Sequence, residues 1–124
     1  MEEYEVGDIV FVSNVDNPKE EGAKYHYFVI IDSDLSIVSA DFFGFLVSSN
    51  KNKNKNNSRY KYNEPLLKTN DNGLLVDSHV KCDTLYQFKK HHIVCKIGSV
   101  EVDDFLRFIE AYNDYLKQKV YWLY

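Results

Sequence analysis

The sequence contains few of the residues that would assign a fold or an activity at once. Its 124 residues include two cysteines, two prolines, five glycines and one tryptophan. Two cysteines are too few for the disulfide framework of a small secreted domain. No apolar run approaches the ~20 residues that a membrane span needs, and the acidic residues 1–5 do not resemble the basic start of a secretory signal. These absences predict a cytoplasmic protein without a membrane segment.

Motifs that identify common enzyme classes are also missing. The chain has no glycine-rich phosphate loop, no G-x-S-x-G and no H-E-x-x-H. Cys82, His91, His92 and Cys95 have zinc-ligand chemistry, but they lack a close cysteine pair, and strand alternation would turn some of these side chains apart. We therefore expect no metal site and no cofactor. Both cysteines lie in apolar, strand-like runs, which predicts buried free thiols.

The composition that is present favours one globular domain over residues 1–124. Apolar residues make up 44% of the chain and aromatic residues 15%, enough for a hydrophobic core. The net charge is −4, yet residues 51–68 hold five lysines and Arg59 against Glu64, a local net charge of +5. Phosphate binding depends on the local basic patch, so the overall charge does not exclude a nucleic-acid partner.

Six segments are rich in β-branched and aromatic residues, which predicts six strands. They are residues 7–13, 24–31, 37–49, 60–67, 79–88 and 91–97. Gly44 marks a candidate bulge, and Pro65 predicts that the fourth strand lies at or near a sheet edge. The lysine- and asparagine-rich tract at about 50–59 is too polar to pack and predicts a flexible basic loop.

The end of the chain has helical rather than strand periodicity. Its apolar residues recur every three or four positions: Phe105, Phe108, Ile109, Tyr112 and Leu116. Six short strands followed by one helix predict a mainly β fold, a small and strongly curved antiparallel sheet or barrel capped by a C-terminal helix.

His26 is a candidate for proton transfer. It lies within the second predicted strand, and a histidine titrates near neutral pH. The alternative is an ordinary strand histidine on a half-buried face, and the sequence alone favours that alternative. The same structural interpretation is favoured for His79, which opens the fifth strand.

Lys81 and Asp83 are two residues apart in a strand, so their side chains project from the same face while Cys82 points into the core. Such a pair can move protons or hold a phosphate, or it can be a surface ion pair of little energetic weight. Ser48 and Ser49 end the third strand. Their hydroxyls could donate to a phosphate oxygen, or they could simply be the polar residues of a strand end.

Several short segments, in order along nearly the whole chain, match one known set of motifs. Residues 7–12 match "G-[DE]-I", residues 47–49 match "[IV]-[TS]-S", residues 73–78 match "G-L-x-x-x-S", residues 80–83 match "V-[RK]-C-D", and residues 96–100 match "x-I-G-x-[LV]". Together they resemble the MazF/PemK family of type II toxin–antitoxin toxins. No single motif is specific, but their order and spacing agree with that family.

The chain also departs from the family pattern. His26 stands where the family's "R-P-x-x-V" strand has arginine, and Tyr27 replaces the proline. Residues 83–87 read D-T-L-Y-Q where members often have D-Q-x-R-T, so a second cation is missing. Arginine is permanently charged and forked, whereas histidine is neither.

The resemblance implies an SH3-like, CcdB/PemK-like barrel that forms a homodimer. It also implies a metal-independent endoribonuclease that cleaves single-stranded mRNA through a 2′,3′-cyclic phosphate. Carried over from the family, Asp83 is the base, Lys81 the acid or phosphate cation and Ser48 a phosphate donor, while His26 replaces the arginine as proton carrier or charge stabiliser. The implied protein partner is an acidic antitoxin that folds on binding.

We predict that six residues bind RNA: five through their positive charge and Ser49 through its hydroxyl. They are Lys24, Ser49, Lys51, Lys53, Lys55 and Arg59. Two alternatives compete with the nuclease. One is a non-catalytic barrel of the same fold that binds a protein or nucleic acid, as the gyrase-poisoning CcdB-like toxins do; the other is a purely structural interaction module. The nuclease hypothesis requires His26, Ser48, Lys81 and Asp83 to converge.

Overall fold

The computed structural model describes residues 3–13, 25–33, 41–50, 54–56 and 58–121. This part of the chain contains six strands, two short 3-10 helices and one long helix. The strands are β1 (Asp8–Val12), β2 (His26–Ser33), β3 (Phe42–Ser48), β4 (Asn63–Leu66), β5 (Ser78–Phe88) and β6 (Ile93–Ser99). The 3-10 helices are Ser58–Tyr60 and Lys90–His92, and the long helix α1 is Val102–Tyr121.

The strands form one antiparallel sheet in the order β4-β5-β3-β2-β1-β6. The register shifts in the β1–β6, β2–β3 and β3–β5 pairs, and such irregularities bend strands and increase their twist. The predicted fold class is confirmed: six antiparallel strands and a C-terminal helix in a small, β-barrel-like arrangement.

Most predicted strands agree with the structure to within a few residues. β4 is shorter than predicted, because Ser58–Tyr60 forms a 3-10 helix before it. It is an edge strand, as Pro65 predicts, and the register between β3 and β5 shifts beyond Gly44, where a bulge is predicted. Part of the predicted third strand, residues 37–40, lies outside the described residues.

Alternation along the strands produces two hydrophobic cores, one on each face of the sheet. The helix-side core contains Ile9, Val29, Phe45, Val47, Leu66, Val80, Cys82 and Phe108 of α1. The opposite core contains Val10, Val12, Phe28, Ile30, Phe42, Phe88 and Ile93. Neighbouring residues of β1 thus alternate between the two cores, the pattern expected for a strand that is covered on both sides.

α1 packs against β4 and β5. Phe108 is fully buried, and Asp103 and Asp104 occupy the first turn, where the helix dipole favours acidic side chains. Arg107 joins the helix to the sheet edge: its Nη2 donates to the Pro65 carbonyl oxygen at 2.7 Å and to Asp104 Oδ1 at 2.8 Å. No helix in the described ranges is long and apolar enough to cross a membrane.

The two cysteines differ in burial. Cys82 is fully buried in the helix-side core, as predicted. The prediction that Cys95 is buried is wrong, because this residue is exposed on β6. β6 ends the sheet, and a strand at an edge can carry apolar residues that nothing covers. An apolar sequence around Cys95 therefore does not show that the residue is buried.

Candidate functional site

A cavity of about 550 Å³ lies at the ends of β2 and β3. It is lined by residues 25–27 and 47–49, which lie at or beside the ends of these two strands. Residues 73–76 of the loop before β5, Ser78 at the start of β5 and Ile97 of β6 complete the lining. Its volume falls in the range of small-molecule sites. The cavity thus combines strand ends with a loop that lies between β4 and β5 in sequence.

The structure brings three of the sequence-predicted site residues to this cavity: His26, Ser48 and Ser49. His26 is the half-buried first residue of β2, and its ring meets Phe28 edge-on at 6.4 Å. Ser48 ends β3, and its Oγ accepts the N–H of Asn50 at 3.2 Å. Tyr27 pairs with Val47, so continuing that register sets His26 opposite Ser48.

Lys81 and Asp83 form the predicted same-face pair, with Lys81 Nζ 3.6 Å from Asp83 Oδ1. Both side chains are half-buried, and Asp83 Oδ1 also accepts the Thr84 hydroxyl at 3.2 Å. Cys82, between them, is turned into the helix-side core. Neither Lys81 nor Asp83 lines the cavity.

The register relates this pair to the cavity. Lys81 is opposite Leu46, which in turn is opposite Phe28. Directly paired residues share a face, so Lys81 lies on the face of Phe28, and alternation along β2 puts His26 on that face too. β5 is two strand spacings from β2, about 10 Å between backbones. The register thus sets His26 and Ser48 on the same face of the sheet as Lys81 and Asp83, and of these four residues only His26 and Ser48 line the cavity.

The predicted RNA-binding cations are placed differently. Lys55 Nζ lies 3.5 Å from Glu64 Oε2, and both residues line a second cavity of about 340 Å³ beside Arg107 of α1. The guanidinium of Arg59 lies 5.6 Å from the ring centroid of Tyr60. Lys24, Lys51 and Lys53 lie outside the described residues. Lys55 is therefore beside the helix rather than among the residues that line the larger cavity.

A hydrogen-bonded loop builds one wall of the larger cavity. Asn72 is buried; its Oδ1 accepts the N–H groups of Thr69 and Leu74 at 3.0 and 3.1 Å, and its Nδ2 donates to the Leu67 carbonyl at 2.8 Å. Gly73 follows with φ +70°. Sequence reasoning missed the role of residues 73–76 as a cavity wall, because that role depends on where β2 and β3 end.

His79 was assigned a structural role from the sequence. It pairs with Ser48 across the β3–β5 register and with Pro65 across the β4–β5 register. Its Nδ1 is buried and has no hydrogen-bond partner within the described chain. Because His79 is opposite Ser48, this buried polar atom lies close to the candidate site.

The remaining titratable feature is the Cys82 thiol. Burial in the core raises its pKa far above the ordinary value, and the Glu64 carboxylate acts in the same direction. Cys82 is therefore a neutral core residue rather than a nucleophile. His91 and His92 stand apart from it in the 3-10 helix, with their rings 4.2 Å apart. Across the described residues, no three His, Cys, Asp or Glu side chains form a metal-ligand group.

A comparison with protein families identifies the relationship. The model described as "PemK-like, MazF-like toxin of type II toxin-antitoxin system" matches residues 5–111. The chain belongs to the PemK/MazF-like toxin family. The match spans all six strands and the first half of α1, so the family assignment rests on the whole sheet. No match was found among curated proteins.

For a PemK/MazF-like toxin, the unusual feature here is the residue at the start of β2. The family resemblance sets His26 where an arginine is usual, and the structure places this histidine at the cavity beside Ser48. The residue at this position of the cavity therefore differs from the arginine that is usual in the family.

Proposed function

We propose that this toxin is a metal-independent endoribonuclease that cleaves single-stranded mRNA at short sequences. The observation that supports it best is the Lys81–Asp83 pair, 3.6 Å apart, on the sheet face that also carries His26 and Ser48 at the cavity. These four residues supply a carboxylate, two proton carriers and a hydroxyl donor. Those are the groups that cleavage of a phosphodiester by its own ribose hydroxyl requires.

The proposed reaction balances without a further reactant. The ribose 2′-oxygen attacks the adjacent phosphorus, the new P–O2′ bond forms and the P–O5′ bond breaks, leaving a 2′,3′-cyclic phosphate and a 5′-hydroxyl. Asp83 takes the 2′ proton. Lys81 gives a proton to the leaving 5′-oxygen or neutralises the phosphate, Ser48 donates to a phosphate oxygen, and His26 carries a proton or stabilises charge.

The test compares single variants on RNA treated with a chelator. We expect His26→Ala and Asp83→Ala to lose at least about 100-fold in cleavage rate, the usual scale for a general acid or base, with unchanged unfolding transitions. His91→Ala and Asp103→Ala are matched controls, since each removes the same residue type from an exposed position. Full activity in both site variants would remove the residue assignment.

A second candidate function is a non-catalytic barrel that binds a protein or nucleic acid. The observation in its favour is that Lys81 and Asp83 do not line the cavity. Under this alternative, the purified protein leaves all RNA intact, yet it still arrests growth when expressed. RNA cleavage that is lost in the Asp83→Ala variant would exclude it.

We further propose two protein partners, a second copy of the chain and an acidic antitoxin. The antitoxin would offer carboxylates to Lys51, Lys53, Lys55 and Arg59. Sedimentation velocity tests the homodimer, and a purely monomeric protein at micromolar concentration would contradict it. An antitoxin complex held by these cations should weaken as salt rises; a salt-independent affinity would contradict the charge-based interface.

A further inference from the structure

Three aromatic side chains form a row on the sheet surface beside the cavity. The Phe11 and Tyr25 rings are stacked, with centroids 5.4 Å apart and planes at 18°. Phe11 is also 4.8 Å from Tyr27, with planes at 36°. Phe11 of β1 is the register partner of Tyr27, and Tyr25 is two residues away on the same side. We call these three residues the aromatic row.

The aromatic row does not serve either hydrophobic core that the described residues form. Tyr25 is 56% exposed and Tyr27 is 37% exposed. Single exposed aromatic residues are common, but adjacent exposed rings beside a cavity are typical of a binding surface. The three rings thus stack on one another although they are not packed in a hydrophobic core.

The row also continues into the candidate site. Tyr25 and Tyr27 line the cavity on either side of His26 in sequence, and the same cavity is lined by Leu75, which is 88% exposed. Aromatic and aliphatic surface therefore lines the same cavity as His26 and Ser48, although alternation along β2 turns the His26 side chain to the other face of the sheet. A ligand that spans this strand end with a flat apolar face and a phosphate matches the arrangement.

We propose that the aromatic row is a stacking platform for one unpaired base of single-stranded RNA, whose phosphate backbone passes the strand ends at His26 and Ser48. The inference rests on the proposed function for its substrate class. Aromatic side chains on sheet surfaces stack unpaired bases because every base has a π-face, whereas paired bases are already stacked within a duplex. The platform explains selection for single strands without hydrogen-bond readout of the base.

The experiment measures binding separately from cleavage. Fluorescence anisotropy is recorded with labelled 2′-O-methyl RNA oligonucleotides, which lack the attacking 2′-hydroxyl and stay intact. We expect Tyr25→Ala to weaken binding about 5- to 150-fold, the range reported for losing one stacked base, and Tyr25→Phe to stay within about twofold. Tyr115→Ala is the matched control, since it removes a tyrosine of α1 whose ring pairs with that of Tyr62, and neither residue lines the cavity.

Removing single bases from the oligonucleotide locates the stacked one. We expect one abasic position to weaken binding to the wild type by the same factor as the Tyr25→Ala substitution does. The same abasic position should not weaken binding to the Tyr25→Ala variant any further. The platform would be overturned if Tyr25→Ala and the wild type bind equally, or if the effects of the two changes add. It would also be overturned if the wild type binds no single strands, which is the result expected if the row docks a protein instead.

The outcomes also separate this inference from the nuclease proposal. Tyr25-dependent binding by a protein that cuts no RNA would support the platform and defeat the nuclease. RNA that the wild type cuts, and that Tyr25→Ala cuts with an unchanged KM, would support the nuclease and overturn the platform.

Discussion

The two thiols differ in their chemical accessibility. Cys82 is fully buried with its pKa raised, whereas Cys95 is exposed on the edge strand. Since the thiolate is the reactive form, we expect one thiol per chain to react with iodoacetamide in native buffer and two in denaturant. Cys95→Ser should abolish the native reaction and Cys82→Ser should leave it. Equal reaction rates at both cysteines would contradict the burial of Cys82.

Lys81, Cys82 and Asp83 show what single-residue reasoning could predict. Strand alternation correctly set Lys81 and Asp83 on one face and Cys82 in the core, because the period of two is a local property of a strand. Cys95 lies in an equally apolar segment and is exposed. The difference depends on which strand ends the sheet, and no local pattern contains that information.

At the scale of elements, the loop that walls the cavity depends on Gly73. Its φ is +70°, and a Cβ there would collide with the carbonyl oxygen of Ile97. Gly7 has φ +93°, but a Cβ at that position meets only Val100 Cγ2 at 3.9 Å. Substitution at Gly7 therefore tests backbone strain alone, whereas substitution at Gly73 tests strain together with steric collision.

We expect Gly73→Ala to lower the free energy of unfolding by about 1–3 kcal/mol more than Gly7→Ala, because strain acts in both and overpacking acts only at Gly73. Urea denaturation of the two variants measures this difference. A loss at Gly73 equal to or smaller than that at Gly7 would show that β6 yields to the added Cβ and that the loop wall is loosely held.

The elements themselves were largely predictable, and their contribution to the site was not. Segments rich in β-branched and aromatic residues predicted six strands, and the spacing of Phe105, Phe108 and Tyr112 predicted α1. The cavity needs residues from β2, β3, the 73–76 loop and β6 at one place, which follows from the strand order. Phe11 and Tyr25 were not singled out, since their stacking appears only when β1 and β2 are paired in register.

At the scale of the whole molecule, Lys55 of the basic tract is not among the residues that line the larger cavity. Positive charge in the sequence predicted that the lysines of the basic tract bind RNA. In the structure Lys55 pairs with Glu64 near Arg107, and the larger cavity is lined at its strand ends by His26, Ser48 and Ser49. An RNA role for Lys24, Lys51 and Lys53 remains a prediction based on charge, as does the flexible loop at about 50–59.

We propose that this toxin cuts RNA with its own side chains through the ribose 2′-hydroxyl. The most direct measurement is sequencing of RNA ends, combined with analysis of their chemistry, after chelator-treated protein has acted on a mixed RNA pool. We expect cuts at one short sequence in single-stranded regions, with 2′,3′-cyclic phosphate and 5′-hydroxyl ends. An RNA pool that stays intact, or ends that carry a 5′-phosphate, would contradict it.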